Sequence, residues 1–172
     1  PLLVISILII IPSFLAKNNI EFQYGASSGI EKSRAETDKA AIEEEFGKIN
    51  QMVILVPRED TGSLTMLSTK LSEIDGITSI ISYDRYIGSS IPSKFIEGSD
   101  SMFNSKNYSR IILYTDYEIE SVRTFSAVEK IHSTASEYFD EFYLIGESAS
   151  VYDIKQTVTA DNTIVTLVAV LG

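Results

Sequence analysis

Cysteine is absent from this 172-residue chain, which rules out disulfides and thiolate metal sites. That absence suits an oxidising exterior without identifying a compartment. Histidine occurs once, as His132, on a segment with helical periodicity beside Ile131. One histidine in such a place forms no convincing Ser-His-acid set, and its simplest role is a surface helix residue. Basic residues are scarce: 14 Lys and Arg against 24 Asp and Glu leave a net charge of −10. Such a surface repels nucleic acid, whose binding rests on cations neutralising phosphates. Anionic membrane surfaces are disfavoured for the same reason. Gly-rich phosphate loops, metal-ligand clusters and apolar-shielded carboxylate pairs are not visible. The chain is therefore expected to be no enzyme and to hold no cofactor or metal. Glu43-Glu44-Glu45, and Glu118 with Glu120, read as solvated helix segments, since acids favour first turns.

Charge is also missing from both ends. Residues 1–16 contain no charged side chain and are almost wholly aliphatic from Leu2 to Ile11. Thr163 to Leu171 repeats the pattern. A membrane-spanning helix needs about 20 apolar residues, so each run is expected to be part of a truncated span. A signal peptide would show a basic start and a small-residue cleavage site, and the second run could also be a buried strand. Two charge-free ends around a charged middle are simplest as spans. The expected organisation is residues 1–16 as the end of one span, 17–161 as a water-exposed domain, and 162–172 as the start of the next span. About 140 residues suffice for one domain with its own core.

Within that middle, Ser33 or Thr37 opens a helix that runs to Phe46. Ser33 and Glu36 have capping-box spacing, and Gly47 is a natural stop. Gln51–Val56 is a continuous apolar run ended by Pro57, the pattern of a central strand. Leu64, Leu67, Leu71 and Ile74 define an amphipathic helix, and Asp75-Gly76 ends it. Ile77–Tyr83 is the second strand. Asp84–Asn107 is a long Ser- and Gly-rich connection, with a short helix expected near Ser93–Glu97. Such a length is uncommon without a function, and Ile91, Phe95, Ile96, Met102 and Phe103 make it a candidate border for a hydrophobic substrate. Those groups could equally close the core. Tyr108–Thr115 is the third strand. Glu118 to Phe139 is the longest helix, with Ile119, Val122, Phe125, Val128 and Ile131 recurring every three residues. Phe142–Ile145 is the fourth strand. Gly146 then turns the chain into a helix from Ala149 to Ala160 that continues toward the second span. Two strand-helix-strand units pairing into one antiparallel sheet, both helices on one face, predict an α+β, ferredoxin-like (βαββαβ) fold.

A series of short motifs points further. Phe22-Gln23-Tyr24-Gly25 follows the first apolar run. Phe46-Gly47, Asn50 and Leu55-Val56-Pro57 come next, then Gly88, Ile91-Pro92, Ser105 and Tyr108-Ser109-Arg110. Gly146-Glu147-Ser148, Tyr152-Asp153-Ile154-Lys155 and Asp161 complete it. In this order, between two apolar ends, the motifs resemble the MMPL family of the RND transporter superfamily, in its Gram-positive form. The likeness spans nearly the whole chain and corresponds to the extracytoplasmic loop after the first helix of one six-helix half. It implies a porter domain of a multi-pass cell-membrane protein that exports lipids, drugs or other hydrophobic molecules on proton flow. It implies membrane lipids, the remaining transmembrane helices and a second porter domain as partners. The proton relay would lie in later helices outside these residues.

In that picture Gly146 to Asp161, including Tyr152 and Asp153, is the mechanical link to the second span. Gly25 lies in the partner hinge. Ordinary loop and cap chemistry would explain the same positions. A different reading is a membrane-anchored ectodomain that binds or scaffolds an external partner in a permease-like complex. A third is a protein-translocation accessory factor of the same superfamily. A full-length chain with some ten further spans and intramembrane acids would favour transport.

Overall fold

A computed structural model describes residues 34–58, 61–87 and 101–171, together with Leu8. The chain runs α1 (Arg34–Phe46), β1 (Asn50–Pro57), α2 (Thr61–Leu71), β2 (Ile77–Ile81) and α3 (Tyr83–Ile87). It continues through β3 (Tyr108–Thr115), α4 (Val122–Ser136), β4 (Tyr143–Gly146) and α5 (Glu147–Leu171). The expected spans at residues 1–16, the hinge residue Gly25 and the expected helix near Ser93 lie outside the described residues.

The strands form one four-stranded sheet in the order β2-β3-β1-β4, with every neighbour antiparallel. The two central strands, β1 and β3, pair over eight positions from Asn50↔Thr115 to Pro57↔Tyr108. Strand side chains alternate between faces. In β1 and β3 this sends Met52, Ile54, Val56, Ile111 and Leu113 to one side, where each is fully buried. Leu64, Leu67 and Leu71 of α2 and Val128, Ile131 and Ala135 of α4 close on the same side. Both helices therefore cover one face, and the protein is an α+β, two-layer structure.

The opposite face carries Ile81, Ile112, Val53 and Ile145, which stand in register across all four strands. Beside them Arg110 is half-buried, and its Nε has no hydrogen-bond partner among the described residues.

Three elements depart from the sequence reading. β2 stops at Ile81 rather than Tyr83. Ser82 is fully buried and donates to Asp84 Oδ1 at 2.5 Å, and Ser68 donates to Asp84 Oδ2 at 2.8 Å. That carboxylate sits in the first turn of α3 and draws the chain out of the strand. α4 starts at Val122, because the Ser121 side chain accepts from Thr124 N at 3.1 Å and caps it there. Glu118 is thus outside the helix and pairs with Lys48 at 2.7 Å. Val122 itself is 74% exposed. A three-residue spacing drifts by about 60° per step on an α-helix, so Val122 is rotated off the stripe that Phe125, Val128 and Ile131 bury. Finally, α5 is one continuous helix of 25 residues, as its run toward the second apolar segment called for, but it starts at Glu147, two residues before Ala149.

Candidate functional site at the root of the long helix

Gly146 ends β4 and Glu147 begins α5 with no intervening loop. Gly146 adopts φ +149°, and a Cβ there would stand 2.8 Å from Gln51 O and 3.0 Å from Met52 Cγ. Only glycine tolerates both the dihedral and the approach to β1. Glu147 in the first turn suits the positive end of the helix dipole. The next residue, Ser148, is fully buried. Its hydroxyl donates to Ile119 O at 2.7 Å and accepts from Asn50 Nδ2 at 2.7 Å. Asn50 is 4% exposed, and the same amide group reaches Tyr117 O at 3.4 Å. The start of β1, the loop before α4 and the first turn of α5 are therefore tied by one buried polar knot. Lys48 and Glu118 add an exposed ion pair at the same end; it holds the Glu118 carboxyl below and the Lys48 ammonium above their ordinary values.

About two turns of α5 then pack on α4. Ala149 and Val151 are buried. The Tyr152 ring lies 6.0 Å from the Phe125 ring, and Lys155 Nζ sits 4.3 Å above that same ring. A cation over an aromatic face contributes about 0.5–1 kcal/mol at exposed sites. From the heptad spacing, Ala149, Tyr152 and Gln156 share a face and Lys155 points elsewhere. In the structure Lys155 joins Tyr152 on the packed side, while Gln156 is exposed and donates to the Tyr152 hydroxyl at 2.7 Å. Asp153 and Asp161 are exposed.

Beyond Lys155 the helix leaves the domain. The described side chains from Gln156 onward are exposed, apart from half-buried Thr166. Val158, Ile164, Val165 and Val168 are 43%, 62%, 65% and 62% exposed. Thr157 to Leu171 projects about 22 Å at about 1.5 Å per residue. Among the described residues no helix is long and apolar enough to cross a membrane. Before β1, Ile42 and Phe46 of α1 and Ile49 of the connection that follows it are also exposed apolar groups.

A groove of about 270 Å³ opens where α4, β4 and α5 meet. Val128, Leu144, Ala149 and Tyr152 line its interior, and Asp153 stands on its rim. The His132 ring meets the Phe142 ring edge-on at 4.8 Å and forms one wall. His132 is therefore exposed, as expected, yet it also lines a cavity. Periodicity could not find this groove, since it depends on where the fourth strand docks.

The structure separates the sequence-derived sites. Gly146, Tyr152 and Asp153 come together at the root of α5, whereas Asp161 lies out along the projecting part. Of the substrate-border residues, Ile91, Phe95 and Ile96 lie outside the described residues. Phe103 is 3% exposed and belongs to the interior, while Met102 is 51% exposed. Among the described residues, no group of three or more His, Asp or Glu side chains is placed to hold a metal. No protein-family model matches the chain, and no curated protein matches it.

Proposed function

We propose that this chain is an extracytoplasmic porter-type domain of a proton-driven MMPL/RND transporter that exports lipids, drugs or other hydrophobic molecules. The strand order β2-β3-β1-β4, with both helices on one face, fits the ferredoxin-like arrangement this reading calls for. The observation that carries the proposal is α5. Its first turns are locked into the domain by Gly146, Ser148 and Tyr152, and its remainder projects as an exposed, aliphatic-rich rod. A helix of that form transmits rotation between a membrane span and the domain without a flexible joint. The sequence resemblance assigns the role; the rod supplies the mechanical means.

A proton crossing 100 mV delivers about 2.3 kcal/mol, enough to bias a two-state hinge about fifty-fold. The open sheet face, with its aliphatic row and unsatisfied Arg110 Nε, suits contact with a second porter domain of the same protein. The test is export by the full-length protein carrying Thr157→Pro. Loss of export with the domain still folded supports rigid coupling. Export at the parental rate refutes it and leaves contacts with neighbouring domains as the drive.

A further inference from the structure

β4 is an edge strand, and its sequence is Tyr143-Leu144-Ile145-Gly146. Its inner edge pairs with β1 from Leu55↔Tyr143 to Met52↔Gly146. Among the described residues nothing pairs with its outer edge. Natural edges are shielded by charge, proline or bulges. β4 has none of these within its four residues, and Tyr143 and Ile145 are 48% and 52% exposed. A row of free backbone donors and acceptors is matched only by another extended backbone, the mode known as strand addition.

The groove at the root of α5 lies directly beside this edge and includes Phe142, Leu144 and Ile145 in its lining. Its volume of about 270 Å³ falls below the roughly 300–1,000 Å³ of small-molecule sites. It has room for an apolar side chain of an added strand beside Val128 and Tyr152. The surroundings are acidic. Asp140 and Glu141 precede the strand, Glu147 follows it, and Asp153 stands on the groove rim, all exposed. Lys155, two residues after Asp153, is engaged over Phe125.

We propose that the outer edge of β4 and the adjoining groove bind an extended peptide of about four residues, with one aliphatic side chain in the groove and Lys or Arg on either flank. The edge specifies an extended backbone, the groove an apolar side chain, and the four carboxylates a cationic segment. This interaction does not depend on the transport reading.

The experiment uses the full chain in detergent micelles and a labelled, end-blocked hexapeptide of Lys, Thr, Leu, Thr, Val and Arg. Binding is read by fluorescence anisotropy. Saturable binding is expected. An analogue with Glu at both ends should bind at least about tenfold more weakly, because like charges then face each other. An analogue N-methylated at alternate residues keeps its side chains and charge but loses strand hydrogen bonds, and should also bind about tenfold more weakly or worse. Ile145→Lys and Asp153→Lys alter exposed positions, so the fold survives, and each should weaken the parent peptide. Equal binding of the N-methylated analogue overturns strand addition. Absence of binding by the parent peptide overturns the proposal too. Should the chain instead form a concentration-dependent dimer that Ile145→Lys abolishes, with no peptide bound, the edge belongs to a second copy and the peptide assignment falls.

Discussion

Asn50 and Ser148, 98 residues apart in the chain, share a 2.7 Å hydrogen bond inside the protein. Asn50 opens the central strand, and Ser148 lies in the first turn of the helix that leaves the domain. The Ser148 hydroxyl is used twice, as acceptor from Asn50 and as donor to the Ile119 carbonyl. Movement of the long helix relative to the sheet must break this knot or carry the sheet along.

Ser148→Ala should therefore destabilise the domain by about 1–3 kcal/mol, since the buried Asn50 amide keeps only its 3.4 Å contact with Tyr117 O and the half-buried Ile119 carbonyl loses its donor. Urea unfolding followed by circular dichroism measures this. In a double-mutant cycle with Asn50→Ala the two losses should fall short of additivity by about 0.5 kcal/mol or more. Strict additivity would mean that the two side chains do not act together.

Gly146→Ala should lower stability by about 2 kcal/mol or more, combining a strained positive φ with a close approach to the β1 backbone. By contrast Ser150→Ala, at an exposed position of the same helix, should change stability by less than about 0.5 kcal/mol. Thermal melts of the two variants compare them, and a neutral Gly146→Ala would show that the junction yields easily.

Tyr143 donates to Glu141 Oε1 at 2.7 Å and stands beside Tyr108, which reaches the same oxygen at 3.2 Å. The hydrogen bond to the Glu141 carboxylate, then the one with Tyr108, pushes the Tyr143 phenol up to about 12. Its unfolded value is about 10. Because the folded value is raised, the stabilisation is fully present below about pH 10 and is lost as pH rises through about 12. Tyr117 is also raised, first by its hydrogen bond to Asp75, so phenolate absorbance should show more than one late-titrating tyrosine and Tyr143→Phe should remove one of them. Glu141→Gln should bring that titration down toward about 10. An unchanged titration in Glu141→Gln would assign the shift to another cause.

Thr157→Pro falls two residues, about half a turn, beyond Lys155, the last packed residue of α5. Proline there removes an i→i−4 hydrogen bond and crowds the Asp153 carbonyl. The helical signal should fall, while the unfolding midpoint of the domain should move by less than about 0.5 kcal/mol, because the side chains that anchor α5 precede it. A large drop in midpoint would mean that the projecting half supports the core.

Much of the sheet was legible from local patterns. Gln51–Val56 and Tyr108–Thr115 were found within a residue at each end, because strands β1 and β3 are uniformly apolar or strictly alternating. Leu64, Leu67 and Leu71 read as a helix face and are buried as one. One misreading fell where a side chain from elsewhere in the chain intervened, since Ser68 holds Asp84 where β2 ends early; the other was local, since Ser121 caps α4 three residues later than the first acid of that segment. Phe103 is interior, as the alternative of core closure for that segment allowed; the order of an irregular segment carries no period to say which way a ring points.

For this chain, the sequence alone was enough to determine a strand-helix-strand order repeated twice, an acidic middle between aliphatic ends, and a glycine where β4 gives way to α5. Hydrophobic periods of two and about 3.6 residues are local, so they survive without a fold. Only the tertiary structure decided that Asn50, Ile119 and Ser148 would meet, that Lys155 would cover Phe125, and that a groove would open beside an unshielded edge. Those contacts depend on strand register and docking across dozens of residues, and no short-range pattern records either.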